Sequence, residues 1–587
     1  MNVGVTGMND DHARRARCAA HGLMYDSGVH SGCVVCRRER RQPEPQVTEL
    51  PSKTAVAIVL TASVLLLVGS FGAIYAYFQH QWALVEADGP TEPEVGTVVA
   101  ALPGIPEHKG QIMIGLPGTD AYGYPRDLPD KLTLQVLLRE RRFEDLNAHL
   151  ESLQAAFEED FRKEKWPSVA FGAFHTADPE LGGLIDEWVE ATPESFAPYL
   201  ARSEHRISLA WHYRGGKWAH QTSTKRFKKM QGTLGEVSAD LDRALELRPR
   251  SQEARSNQLT LASAFGLGVK TKTDVLEDAL RHCPYCFGPR AGYLGTIVPR
   301  WGGSHALMEK KAADWQYTDK NPKLRQLLGF ADHDRCSLLL VKKKPRKAIP
   351  VCDRALEHGA NAAFLADKGR ALMQLERYDE AIELLSKALR ILPQSASILG
   401  SRGSALLKAE RYDEAAHDLV LATRLDPVNE HYEKNLHHIL AKLVRLAYER
   451  DEAGKHDEAI AEYTRVLEMH PRYADAFSYR GYAYDKKGEL RLAEQDYLRA
   501  IELDPNNVES YRGLDHVLFQ QKRLDEIVQH WTRYLKRHPK DATALFERSG
   551  TYFRKGQIEL AKRDVGAACR LGKKEACATE QRYFPGR

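Results

Sequence analysis

Prolines recur at near-constant spacing along the C-terminal half of this chain, at 393, 427, 471, 505 and 539, with an upstream member at 284. From Pro393 to Pro539 the intervals are 34, 44, 34 and 34 residues. Each proline stands five residues after one suited to a helix core: Ala388, Ala422, Val466, Ala500, Tyr534 and, upstream, Ala279. Proline lacks a backbone donor and pushes its predecessor out of the helical region, so it marks where a helix has ended. A chain that punctuates itself every 34 residues in this way is a stack of helical hairpins. Each hairpin hides its apolar face only against its neighbours, so the core grows by repetition.

Small residues that let two helices approach recur in the same register: Gly369, Gly403, Ala447 and Gly481, then Ala381, Ala415, Ala459 and Ala493. The segment RYDEAIELLSKALRILP at 377–393 repeats as RYDEAAHDLVLATRLDP at 411–427. These residues resemble the tetratricopeptide repeat. The resemblance implies an all-α fold, an α/α superhelical solenoid, over residues 326–587. Seven hairpins can be phased between about 329 and 575, with ten extra residues (around PVNEHYEKNLHHI) before the fourth.

A chain of 587 residues is too long for one ordinary core unless that core is a growing stack. The formal net charge of +4 is nearly balanced, which argues against nucleic acid as the partner. Of nine cysteines, three precede residue 40 and six follow residue 280.

Residues 54–78 (TAVAIVLTASVLLLVGSFGAIYAYF) carry no ionisable group except two tyrosines. That length exceeds the roughly 20 residues needed to cross hydrocarbon, and Tyr75, Tyr77 and Trp82 suit an interfacial belt. Arg37, Arg38, Arg40, Arg41 and Lys53 precede the segment, whereas 79–108 contain no Lys or Arg. The positive-inside rule then predicts a single span with a cytoplasmic N-terminus. The C-terminal arm falls across the membrane, in the periplasm if the membrane is the inner one of a diderm bacterium. Reversed topology, with a cytoplasmic arm, is the alternative.

Ahead of the span, Cys18-x2-His21 and Cys33-x2-Cys36 form two knuckles within residues 1–42. Four soft ligands so spaced suit tetrahedral zinc, which can close a small domain lacking a core. Three incidental thiols and a surface histidine are the alternative. The stretch HGL-x-YD with GC-x2-CRRE resembles small zinc-ribbon heads that precede single membrane spans in bacterial proteins. After the span, prolines alternate with glycines from 88 to 130, which predicts an extended tether over 79–129.

Helical periodicity returns over 130–325, where ADLDRALELRP ends at Pro249 and VLEDALRHCP at Pro284, 35 residues apart. Six tryptophans in this stretch predict a packed domain. LARSEHRISLAWHYRGGKWAHQTSTKRF, PRAGYL and PRWGGS resemble a bacterial family of helical-repeat domains of unassigned function, which implies a fold and no activity. Arg206, His212, Arg214 and Lys217 with Trp211 and Trp218 fit either a pocket or a capped helix end.

Cys283-Pro284-Tyr285-Cys286 matches the dithiol of glutaredoxins, so a thiol-disulfide oxidoreductase is the enzymatic alternative. That chemistry needs the first cysteine at a helix N-terminus after a strand. Here the motif follows the helical pattern DVLEDALRH and occupies a repeat's terminal turn, which fits a closed local pair better. Cys336 and Cys352 take facing positions of one hairpin, so a bridge between its helices and two buried free thiols both fit. Cys569 and Cys577 are spaced like the bridged pairs of secreted cysteine-rich α/α repeat proteins, which they resemble. Together these six favour an oxidising compartment. No constellation of residues looks catalytic.

In the tetratricopeptide family the first helix of each repeat lines the ligand face. Carried over by position, the resemblance assigns Arg370, Tyr448, Tyr482, Arg512, His516 and Phe519 to a partner surface, and Tyr479 joins that ladder. Aromatics and arginine dominate interface energetics, so an extended or helical peptide is the expected ligand. Packing between hairpins is the alternative use of the tyrosines. The family's clamp for chaperone tails needs inward Lys and Asn, and this chain lacks the Asn set.

Overall fold

A computed structural model describes residues 15–17, 24–26, 113–216 and 221–584. The span expected at 54–78 and the ligands Cys18, His21, Cys33 and Cys36 lie outside the described residues, as do Lys217 and Trp218. No helix among the described residues is long and apolar enough to cross a membrane. The chain divides into two compact units, and among described residues the first holds 15–17, 24–26, 113–216, 221–405 and 422–429 and the second 406–421 and 430–584.

Both units are built of helices. Fourteen consecutive helices from Phe330–Val341 to Ile558–Arg570 make seven pairs, followed by Lys574–Tyr583. The pair Ala362–Met373 and Tyr378–Ile391 shows why these residues fold so. Asp379 and Glu380 sit in the first turn of the second helix, where carboxylates complement the macrodipole. Ala381, Ile382, Leu385, Ala388 and Leu389 repeat at helical spacing and are buried. Burial of each large side chain contributes roughly 2 kcal/mol. The helix stops at Leu392, immediately before Pro393. The helices ending at Leu425, Met469, Leu503 and Arg537 stop the same way, one residue before the one that precedes the proline. Gly369 permits the close approach of the pair: a Cβ there would lie 2.9 Å from Leu385 Cγ.

The turn inside each hairpin is equally regular. Glu376 is left-handed (φ 61°), and its N–H bonds Met373 O at 3.0 Å while Arg377 N–H bonds Leu372 O at 3.0 Å. Lys343, Glu410, Gly454, Gly488, Lys522 and Gly556 take the same place. So do Arg141 and Gly266 in the middle region, which extends the hairpin turn well upstream of the proline series. The ten-residue insertion is helix, not loop. It lengthens the first helix of the fourth pair to Glu430–Glu452, 23 residues against 13 in Ala474–Lys486.

Four short strands accompany the helices among the described residues. β1 (Arg15–Arg17) pairs antiparallel with β2 (Met24–Asp26), Arg17 opposite Met24. β3 (Met113–Thr119) pairs antiparallel with β4 (Pro125–Pro129), with a bulge between Gly115 and Thr119. The end of the expected tether is therefore a folded ribbon. Pro125 and Pro129 sit at its ends, where a missing N–H is tolerated, and a two-stranded ribbon needs packing to persist. Tyr124 and Leu128 supply that packing by full burial, Tyr124 donating to Glu164 Oε1 at 2.8 Å. Asp130 then caps the helix Lys131–Arg139.

Candidate functional site

Within the second unit, the first helices of the last four hairpins are Glu430–Glu452, Ala474–Lys486, Val508–Gln520 and Ala542–Arg554. Side chains one repeat apart join each to the next. Tyr448 meets Tyr479 edge-on with ring centres 5.4 Å apart, and Tyr482 at 6.3 Å. Tyr482 donates to Glu452 at 3.1 Å. One helix further, His516 Nδ1 and Asp485 Oδ2 are 2.6 Å apart, with Gln520 donating to the same carboxylate at 3.1 Å. Phe519 lies under the guanidinium of Arg554 at 4.6 Å, and Arg512 reaches Glu547 at 3.3 Å.

Six of the seven expected partner residues thus form one row. Tyr479 and Phe519 remain 39% and 43% exposed, which is high for large apolar side chains inside such a row. Arg512 is exposed and divides its charge between Glu509 and Glu547. Such solvated pairs hold weakly and exchange readily for another carboxylate. The seventh residue, Arg370, belongs to the first unit and is engaged there. It pairs with Asp367 at 2.8 Å and donates to Ser397 and Ser401 at 2.7 and 3.1 Å, tying one hairpin to the next. Asp451, at an inward position of the family pattern, is likewise buried and bonded to His456 at 2.5 Å.

The cysteine pairs are joined in the structure as Cys283–Cys286, Cys336–Cys352 and Cys569–Cys577, with Cα separations of 5.5, 5.4 and 4.6 Å. Cys283 caps the C-terminus of the helix Val269–His282, the negative end of the dipole and the reverse of what a reactive thiolate requires. Both cysteines are buried, packed with Phe157 and Phe161. Arg290 holds the carbonyls of Cys286 and Pro284 at 2.7 and 2.6 Å. The geometry is that of a brace.

Arg206 and Arg214 are structural as well. Arg206 pairs with Asp240 at 2.8 Å, and Arg214 ends its helix buried against Trp211 and Phe227. Sequence reasoning missed a polar network beneath the middle region. Glu204, buried, bonds His175 Nδ1 at 2.8 Å and Asn257 at 2.7 Å. Burial and the neighbouring Glu204 raise Glu253 to about 8, and burial lowers Lys131. These residues come from three helices and a loop, with no local signature.

A tetratricopeptide-repeat family model matches residues 337–396, 367–430 and 444–508. Those segments fall on the first five of the seven hairpins. These five are tetratricopeptide repeats.

A second model, described as a domain of unknown function (DUF4034), matches residues 131–268, ahead of the repeats. Relatives include the Hsp70-Hsp90 organizing protein of Triticum aestivum, 26% identical over 270 residues, covering 41% of this chain and 42% of that one. Tetratricopeptide repeat protein 13 of Homo sapiens is 29% identical over 139 residues, 23% of this chain and 16% of that one. The chain spans less than half the length of these curated relatives. Among solved structures, yeast Tom70 aligns with 75% of this chain and 95% of its own at 14% identity and a TM-score of 0.23. The tetratricopeptide protein YrrB aligns with 33% and 94% at 23% identity and a TM-score of 0.22. The Tyr448–Phe519 row runs along the first helices of hairpins four to six and meets the seventh at Arg554.

Proposed function

We propose that this chain is a membrane-anchored docking scaffold whose tetratricopeptide repeats hold a protein or peptide along the Tyr448–Phe519 row. The observation that carries this reading is the incomplete burial of Tyr479, which packs against Tyr448, and of Phe519, which lies under Arg554. Aromatic and arginine side chains bury much area while keeping a polar tip, which is the usual make-up of an interface hot spot. The likeness to proteins named for organising Hsp70 and Hsp90 favours a protein ligand. The missing inward Asn set favours anchoring by apolar side chains over capture of a terminal carboxylate.

In this reading residues 54–78 anchor the chain in the inner membrane and the repeats lie in the periplasm. The flanking charge asymmetry supports that direction. On the cytoplasmic side Cys18, His21, Cys33 and Cys36 hold a structural zinc ion. The paired spacing of these four ligands supports this.

The test places a photo-crosslinking residue at position 486, beside the row, in the full chain in its own membrane. Discrete adducts are expected, and Tyr448→Ala with Tyr479→Ala and Phe519→Ala should abolish them while helicity stays unchanged. Undiminished adducts in that variant would exclude the row as the docking face. A reporter enzyme fused after Arg587 and active only in the periplasm tests the topology separately.

A further inference from the structure

The ten extra residues of the fourth repeat bring together a set of side chains that no other group among the described residues matches. Glu433 and His437, four apart on the lengthened helix Glu430–Glu452, share one face. His470 caps the C-terminus of the helix His456–Met469, directly before the signature Pro471. The hairpin fold brings it back to the extension. Glu433 Oε1 lies 3.2 Å from His437 Nε2 and 3.9 Å from His470 Nε2. One ligand atom from each of the three falls within 4.8 Å of the others.

We propose that Glu433, His437 and His470 bind a divalent transition-metal ion of the zinc class. Two imidazoles and a carboxylate are the donor set such borderline ions take, with remaining positions left to water. Bonds of 2.0–2.1 Å in tetrahedral geometry place ligand atoms about 3.3 Å apart. The observed 3.2 and 3.9 Å need only small side-chain rotations to meet that spacing.

A glutamate and histidine at i,i+4 are by themselves an ordinary surface pair. Two features set this one apart. The third donor comes from another helix, and buried Tyr473 packs edge-on against both imidazoles, at 5.5 and 5.8 Å. The rings are therefore held before any ion arrives. Glu433 and His437 stay about half exposed, so an ion enters directly from solvent. Bound metal would clamp the extension onto the end of its own hairpin.

The experiment uses the full chain carrying Cys18→Ser, Cys33→Ser and Cys36→Ser, which removes the N-terminal thiolates from competition. Titration with Zn2+ should show one equivalent bound. His437→Asn or His470→Asn should weaken binding at least tenfold, and His438→Asn, an exposed neighbour, should leave it unchanged. Cobalt(II) in the same site should give ligand-field absorption without a sulfur-to-metal charge-transfer band. His437 is exposed, so its variant should keep full helicity by circular dichroism. Absence of binding, indifference to both histidine variants, or a sulfur charge-transfer band would each overturn the assignment.

Discussion

Arg480 and Asp496, sixteen residues apart, face each other across one hairpin as a two-point ion pair at 2.7 and 2.9 Å. The same guanidinium donates to Thr464 of the preceding hairpin at 3.0 Å. Two repeats later Arg548, Asp564 and Thr532 build the same bridge, at 2.6 and 3.1 Å. Both carboxylates are buried, so each bridge stitches hairpins together from beneath.

Truncating one partner strands the other. Asp496→Ala should cost about 2–3 kcal/mol, somewhat below the loss for a fully buried pair because Arg480 keeps some contact with solvent. Replacing both, Arg480→Met with Asp496→Leu, should restore most of that. Urea unfolding of the three variants checks the order, and a double variant as weak as Asp496→Ala would contradict it.

Among the seven C-terminal hairpins, four turns put a residue with a side chain where glycine fits best. Lys343, Glu376, Glu410 and Lys522 have φ between 52° and 62°, while Gly454, Gly488 and Gly556 serve the equivalent turns. The left-handed conformation costs an L-residue about 1–2 kcal/mol, partly offset by glycine's greater freedom when unfolded. Glu376→Gly, Glu410→Gly and Lys522→Gly should each raise stability by about 0.5 kcal/mol, and Gly488→Ala should lower it by about 1 kcal/mol. Thermal melting of the single variants tests both directions.

Lys272 is fully buried and donates to the carbonyls of Thr296 and Trp301 at 2.8 and 3.1 Å. Burial lowers it to about 8. The folded state thus disfavours its proton while the unfolded chain retains it up to about 10.5. Stability should therefore rise as pH climbs from about 8 toward 10.5, by an order of 2–3 kcal/mol. Lys272→Met should flatten that rise in urea midpoints taken at pH 7.5 and 10. An identical slope in the variant would assign the effect elsewhere.

If the arm lies in the periplasm, Cys283, Cys286, Cys336, Cys352, Cys569 and Cys577 should resist alkylation until a reductant is added. Opening the Cys336–Cys352 loop with Cys336→Ala and Cys352→Ala should cost about 2–4 kcal/mol. Mass spectrometry of protein alkylated in intact cells reads the first point, and denaturant unfolding the second. Free alkylation of all six without reductant would place the arm in a reducing compartment.

Much of the fold was legible because repeat signals are local. The proline register and the alternation of small residues mark helix ends and helix contacts, and each acts within a few residues of itself. The hairpins and the helical insertion follow from such short-range rules. The Tyr448–Phe519 row was legible in part, since a fixed period places Tyr448, Tyr482 and His516 on successive first helices. Arg370 shows the limit of that reasoning. Its position in the repeat matches theirs, yet Asp367, Ser397 and Ser401 already occupy its guanidinium.

By itself the sequence determined the hairpin count, the turn positions and the spacing of the cysteine pairs, all consequences of backbone preferences that need no distant partner. Tertiary structure alone decided that Tyr124 converts a proline-rich stretch into a ribbon, that the network around Glu204 is buried, and that His470 returns to Glu433 and His437. Those outcomes depend on which side chains from separate elements exclude water from one another. Desolvation is a property of the assembled neighbourhood, and no periodicity along the chain encodes it.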